Sequence, residues 1–338
     1  MKPNKHLPHQ HNLMGICFML LHVVGLSILY ATAKFLTSEL NSNLVVFLYK
    51  FTILIMVLPW CLSEGISGLK TKKIHIHITR AIFSTLGSLC MFYSLKYLPL
   101  ADVTAITKME QVVLLIIGIL YFKEVATKTK MIVILLSFLG AMMIIRPDLF
   151  SFGRPVEFKG FNSYYLFVFL ALLFWSINST FVKVLGKTEK TKVQLFYVLL
   201  FSSFISFPVS FMHWYTHSTY MGIDFRYPTH LLEWESFGLR PDHMKYILLL
   251  GICYFSHVVG NFKAFKHAEL SMVVPLDYLR LVLGGLFGYF IFSEQPLTVA
   301  IVGYCFIIAG GVTLVKYEHR KAVRRKKNDD STSTLDQQ

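Results

Sequence analysis

Long apolar stretches alternate with short polar connections along this chain. Ten such stretches lie near 14–35, 44–63, 79–97, 102–122, 129–145, 163–185, 193–213, 244–266, 270–292 and 297–315. Each has the length, roughly 17–25 residues, that carries a helix across a hydrocarbon core about 30 Å thick. In lipid every backbone N–H and C=O must be satisfied within its own segment, so the pattern predicts an all-α integral membrane protein with ten transmembrane helices. Five of the stretches look like a second copy of the other five. Lys34 and Pro59 recur 149 positions later as Lys183 and Pro208, and Lys96, Glu124 and Gly140 recur 170 positions later as Lys266, Glu294 and Gly310. The difference is an insertion of 21 residues between the seventh and eighth stretches. An odd number of spans per copy makes the second copy enter the membrane from the opposite side, giving two inverted five-helix repeats. Inverted repeats with a site at their interface are the usual build of a secondary transporter, so the pattern implies a carrier of small solutes.

The organisation that follows is a tail over 1–13, a first repeat over 14–145, a linker over 146–162 and a second repeat over 163–315. The insertion, 214–243, is rich in Trp, Tyr, His and acids. Trp214, Tyr215, Tyr220 and Trp234 would sit well at a headgroup boundary. It reads either as a lid over the outer opening or as a plain surface loop. Residues 316–338 form a basic, then polar tail that is expected to be disordered from Asn328 on.

Charge places the two faces. Only 15% of residues are charged, against 54% hydrophobic, yet the formal net charge is +14. Most of the 33 Lys and Arg fall in the amino-terminal tail, in the 63–80, 123–130, 183–192 and 263–266 segments, or from Lys316 onward. These are alternate connections, which the ten spans set on one side of the bilayer. Basic residues mark the cytoplasmic side, so both termini are expected inside. The Lys316–Lys327 cluster then reads as a contact with anionic lipid headgroups rather than with nucleic acid.

Several chemistries find no support. There is no Gly-x-x-x-x-Gly-Lys-[Ser/Thr] loop for ATP, and neither Gly-x-Ser-x-Gly nor His-Glu-x-x-His occurs. The five cysteines fall in or at the ends of spans without Cys-x-x-Cys spacing and read as packing residues. His6, His9, His11, His75 and His77 lack acidic or thiol neighbours in sequence and read as solvated loop residues, so no metal or other cofactor is expected. Lys2, Lys5 and Ala31-Thr32-Ala33 imitate a cleavable signal, but the apolar run exceeds the usual 7–15 residues, and the first helix reads as retained.

Ionisable residues at membrane depth carry the functional signal. Lys50 lies in the second stretch, Lys108 and Glu110 in the fourth, and Asp277 and Arg280 in the ninth. Each costs about 2.5–3.5 kcal/mol at the bilayer centre on insertion scales, and such residues usually mark a substrate or ion path. Asp277 and Arg280, three apart, share a helix face and read either as a site or as a self-neutralising pair. Lys108 and Glu110, two apart and about 200° around the helix, cannot both point the same way. Lys50 and Lys108 have snorkelling as the bland alternative, and for Lys34 and Lys183 snorkelling is the preferred reading. Aromatic and amide residues accompany the charges: Tyr30, Tyr49, Tyr93, Trp175, Asn178, His257, Asn261 and Tyr278. Together they suit a ligand with a flat ring and both charge signs, since a carboxylate and aromatic faces hold a cation while Lys or Arg holds a carboxylate. Pro275 should locally free backbone groups at mid-membrane, a common place for a transporter site.

The stretch Arg80-Ala81…Phe92-Tyr93-Ser94-Leu95-Lys96-Tyr97-Leu98-Pro99-Leu100-Ala101-Asp102…Phe122-Lys123-Glu124…Gly140 resembles the first EamA repeat of the drug/metabolite transporter superfamily. Pro275…Tyr278…Phe292-Ser293-Glu294…Gly310 resembles the end of the second. The resemblance covers nearly the whole chain. It implies ten helices in two inverted five-helix repeats, a central cavity and transport without ATP. The family often has a proline midway along the fourth helix, where this chain has Gln111 beside Glu110 and Lys108, which suggests a more polar cavity. The segment from Pro275 to Val282, with Tyr289-Phe290-Ile291-Phe292, is similar to carriers of obligate intracellular bacteria that take up S-adenosylmethionine.

The function expected is therefore alternating-access transport of a small amphoteric, ring-bearing metabolite across a bacterial inner membrane. S-adenosylmethionine uptake is the specific candidate, with exchange for S-adenosylhomocysteine left open. The expected substrate-binding residues are Tyr30, Lys50, Lys108, Glu110, Trp175, His257, Asp277, Tyr278 and Arg280. Asp277 and Glu110 would meet cationic groups, Lys108 and Arg280 a carboxylate, and Tyr278 with Tyr30 the ring. The alternatives are an amino-acid or drug exporter of the same superfamily, an integral-membrane enzyme, and a solute sensor that binds without translocating. Partners are a metabolite and the lipid bilayer, with no nucleic acid; oligomeric state, coupling and direction stay open.

Overall fold

A computed structural model describes residues 9–63, 65–120, 127–150, 162–186, 188–211, 239–267 and 276–335. Among these there is no strand. The helices are α1 (His9–Glu39), α2 (Ser42–Leu62), α3 (Ile74–Tyr97), α4 (Leu100–Thr107), α5 (Glu110–Leu120), α6 (Lys128–Ile145), α7 (Tyr164–Leu185), α8 (Thr191–Ser210), α9 (Pro241–His267), α10 (Leu279–Phe292) and α11 (Thr298–Leu335). Eight described segments are long and apolar enough to cross a membrane, with Leu100–Leu120 taken as one, and α10 is a shorter apolar helix. Lipid-facing apolar side chains such as Phe204 and Phe290 are 70% and 74% exposed, as a helix bathed in hydrocarbon requires. The last helix continues to Leu335, through the stretch expected to be disordered. Of the 214–243 insertion, 214–238 lie outside the described residues, as do Glu124 and Pro275.

With α4 and α5 taken together, the helices form two sets of five, α1–α6 and α7–α11. Exchanging the sets carries the α1–α9 packing onto α7–α3, α2–α9 onto α8–α3, and α1–α10 onto α7–α5. The α2–α8, α4–α10 and α6–α11 contacts map onto themselves. Polar clasps obey the same exchange. Glu39, the last residue of α1, meets His243 at the start of α9 at 2.7 Å, and Glu189, between α7 and α8, meets His77 at the start of α3 at 2.6 Å. His77 is thus fully buried rather than a solvated loop residue, because the turn after α7 folds over it. Close helix pairs use small residues. A Cβ on Gly140 or on Gly303 would lie 2.6 Å from the other's carbonyl oxygen, so α6 and α11 touch at backbone distance.

Two helices are interrupted at corresponding places. The fourth stretch, expected as one helix, stops at Thr107, turns through Lys108 and Met109, and resumes at Glu110. The turn is made by i to i−3 hydrogen bonds, Lys108 N to Ala105 O (3.1 Å) and Met109 N to Ile106 O (2.9 Å). The ninth stretch, expected as continuous over 270–292, turns at Asp277 and Tyr278 before α10, again with i to i−3 bonds from Arg280 N and Leu281 N. Interrupted helices are tolerated at membrane depth only where they are buried in protein or line a polar cavity.

A buried charge pair, Lys34–Glu294, ties one end of the helix array. Lys34 Nζ lies 2.8 Å from Glu294 Oε1 and donates to the carbonyls of Leu95 (3.1 Å) and Leu98 (2.5 Å), the unsatisfied C-terminal carbonyls of α3. Glu294 Oε2 accepts from Leu100 N at 2.7 Å, an orphan donor in the first turn of α4. Ser293 takes a left-handed conformation (φ 54°), which ends α10 and turns Glu294 inward. Lys34 therefore does not snorkel; its side chain is 12% exposed and faces protein. Removing one partner of such a pair costs about 3–5 kcal/mol because the other charge is left buried and uncompensated. Lys34→Met is expected to lower the melting temperature of the solubilised protein more than the Lys34→Met/Glu294→Gln double variant does. Purely additive losses in that cycle would show the pair to be uncoupled.

Candidate functional site

The two helix interruptions face each other, and the charge at each answers the other. Lys108 Nζ pairs with Asp277 Oδ2 across the halves, so the lysine at one break is neutralised by the aspartate at the other. His22, from the middle of α1, places Nε2 at 3.4 Å from Asp277 Oδ1, outside hydrogen-bond geometry. The other ring nitrogen of His22 lies 3.1 Å from the His257 carbonyl, and the two imidazoles are 4.4 Å apart. Asp277 and Arg280 do not neutralise each other as a close pair. The Arg280 guanidinium donates to Thr107 Oγ1 at 3.3 Å and lies 5.7 Å from the centre of the Tyr30 ring, while its Nε has no partner.

Around this junction lies a cavity in two lobes. A polar lobe of about 270 Å³ is lined by His22, Lys108, Gln111, Asn261 and Asp277, together with Met19. An aromatic lobe of about 250 Å³ is lined by Tyr30, Tyr49, Phe92, Trp175 and Tyr254, with Lys50, Ser84 and Asn178 among them. Thr107, Glu110, His257 and Arg280 line both. Each lobe alone falls below the roughly 300–1,000 Å³ usual for a small-molecule site, and the four shared residues set the two side by side. Apolar rings on one side and a few convergent polar groups on the other are what such a site needs for affinity and orientation.

Eight of the nine residues expected from the sequence line one lobe or the other. Tyr278 does not; it is buried beside the cavity, donates to Gln111 Oε1 at 3.3 Å, and supports the Lys108 ammonium 5.3 Å above its ring. Lys108 and Glu110 share the polar lobe although an unbroken helix would separate them, because the chain turns between them. Glu110 takes a hydrogen bond from Ser179 Oγ at 3.2 Å, and Lys50 donates to Ser84 Oγ at 3.1 Å. His22, Ser84 and Ser179 were not among the expected residues. For His22 the available signal was an imidazole in the middle of an apolar stretch; the serines carry none that separates them from ordinary helix-packing residues. Tyr93 lies apart, packed against Tyr97, Tyr164 and Phe167.

Trp175 enters the aromatic lobe because α3 offers a glycine opposite it. A Cβ on Gly87 would collide with the indole at Cδ1 and Nε1. Gly87→Ala is expected to displace Trp175 and weaken ligand binding about tenfold or more while leaving a folded protein. Tryptophan fluorescence and a binding titration check this; unchanged affinity would remove Trp175 from the site.

Comparison with known proteins follows the same outline. A model described as the EamA-like transporter family matches residues 13–146 and 162–316, one match per half. An S-adenosylmethionine uptake transporter of Rickettsia prowazekii is 25% identical over 314 residues, covering 93% of this chain and 96% of the relative. A pseudopaline exporter of Pseudomonas aeruginosa is 22% identical over 89% of this chain and 95% of its own. A riboflavin transporter of Brucella anthropi is 22% identical over 82% and 89%. A solved crystal structure superposes with a TM-score of 0.55 over 91% of this chain and 98% of its own, at 16% identity, a likeness of fold alone.

Proposed function

The chain belongs to the EamA-like transporter family, and from that premise we propose that it is a secondary carrier for a small amphoteric, ring-bearing metabolite. The observation that carries this reading is the cavity at the facing helix breaks, where both charge signs and a cluster of aromatic rings meet. A ligand with a flat ring places it in the aromatic lobe and its polar end across the Glu110–Arg280 junction. S-adenosylmethionine meets that description, and uptake of it is the specific substrate proposed, supported by the name of the rickettsial relative. Transport runs by alternating access. The two five-helix halves, entering the membrane from opposite sides as ten transmembrane helices, rock about the shared cavity and open it to one face at a time. The basic connections set both termini on the cytoplasmic face of a bacterial inner membrane.

Export is the second reading, favoured by the pseudopaline relative. An enzyme would need a nucleophile or metal set, and family membership instead makes the chain a transporter.

The deciding experiment is uptake of a labelled metabolite panel by cells expressing the chain, with loaded vesicles to give direction. Accumulation of S-adenosylmethionine is expected, falling at least tenfold in Asp277→Asn and Arg280→Gln. Asp277→Asn removes the counter-charge of buried Lys108, and Arg280→Gln removes the cation that both lobes share. Wild-type uptake in both variants would dismiss these site roles, and accumulation of other metabolites alone would dismiss the substrate.

A further inference from the structure

We propose that Lys50 binds a carboxylate of the transported ligand in the aromatic lobe, with Arg280 closing the same group from the junction. This assigns the acidic end of the ligand to Lys50 rather than to Lys108, and it rests on the reading that the cavity holds a transported metabolite.

Charge pairing separates the three buried cations of the cavity. Lys108 is already matched by Asp277, with His22 on the same carboxylate. Lys50 is as deeply placed, 6% exposed, yet its polar partner is the neutral Ser84 hydroxyl, and its ammonium otherwise lies 5.3 Å from the centre of the Tyr49 ring. Among the described residues no carboxylate lies within 4 Å of Lys50 or Arg280, and Arg280 Nε is buried without any hydrogen-bond partner. Arg80 adds positive potential from behind, donating to Asn178 Oδ1 at 3.0 Å while Asn178 lines the lobe. A desolvated ammonium without an anion is costly, and a ligand carboxylate that completes the pair recovers that cost, which a ligand lacking the group does not.

Glu110 fixes the other end. It is the one cavity carboxylate without a cation within 4 Å among the described residues, held instead by Ser179, and it lines both lobes. A ligand amine at Glu110 and its carboxylate between Arg280 and Lys50 would leave the ring against Trp175 and Tyr30. The lobe that looks apolar by its rings is therefore the one that selects for an acid.

The test uses full-length protein in detergent and two matched ligand pairs, S-adenosylmethionine with its decarboxylated form, and L-tryptophan with L-tryptophanamide. At least one pair is expected to favour the carboxylate member by tenfold or more in the parent protein. Lys50→Met should cut that preference to below threefold, and Lys50→Arg should retain it. Ligand-free Lys50→Met should melt no lower than the parent, since an uncompensated buried charge is removed. Three results overturn the assignment: a preference unchanged in Lys50→Met, no preference in the parent for either pair, or a lower ligand-free melting temperature, which would make Lys50 a structural residue. If the tryptophan pair behaves as expected and S-adenosylmethionine does not bind, the substrate reading falls and Lys50 stands. If S-adenosylmethionine binds as tightly as its decarboxylated form and the tryptophan pair shows no preference, Lys50 falls and the substrate reading stands.

Discussion

A charge buried at membrane depth must be answered by another charge or by a ligand, and the Lys108–Asp277 pair is where this fold meets that demand. The pair joins the two halves at the points where their helices break. The breaks turn side chains inward, and the interior holds Lys108 and Asp277 because each half supplies the charge that the other lacks. Without its partner, the buried ammonium or carboxylate would remain uncompensated, at several kcal/mol. The cavity, its two lobes and its mixed charge all follow from that junction.

The rest of the fold positions this meeting point. Small residues let α6 meet α11 and α1 meet α9 at close range; a Cβ on Gly260, for example, would lie 2.7 Å from the Phe18 carbonyl oxygen. The Lys34–Glu294 knot fastens one end, and the Glu–His clasps repeat once per half. Lys108 is neutralised inside the protein, whereas Lys50 and Arg280 have no close counter-ion among the described residues. That contrast separates the cation that joins the two halves from those left without a counter-ion.

Much of this was legible in the sequence because lipid imposes a one-dimensional rule. Apolar length gives the spans, and the recurrence of Lys34 and Pro59 as Lys183 and Pro208 gives the repeat. The rarity of charge at depth picks out Lys50, Lys108, Glu110, Asp277 and Arg280. What spacing could not give was pairing. Spacing offers Asp277 an arginine three residues away, yet its partner Lys108 lies 169 residues distant. Regular helical geometry sets Lys108 and Glu110 on different sides, and the turn at Lys108–Met109 that brings them together has no proline to announce it. Lys34 sits at a helix end, where a free lysine would snorkel, and only the folded chain brings Glu294 to it. His22 reads as one imidazole in an apolar stretch until α9 sets His257 beside it.

The central claim is that the junction cavity is the place where solute is held and from which it is released. Ser88 lines the aromatic lobe and is 3% exposed, so a thiol there reports access to it. In a background with Cys17, Cys61, Cys90, Cys253 and Cys305 replaced, Ser88→Cys should react with a membrane-impermeant thiol reagent added from one face of sealed vesicles. Saturating S-adenosylmethionine should slow that reaction several-fold. A folded, transport-active variant whose thiol stays unreactive from both faces, or reacts at a rate that no transported solute changes, would contradict the account.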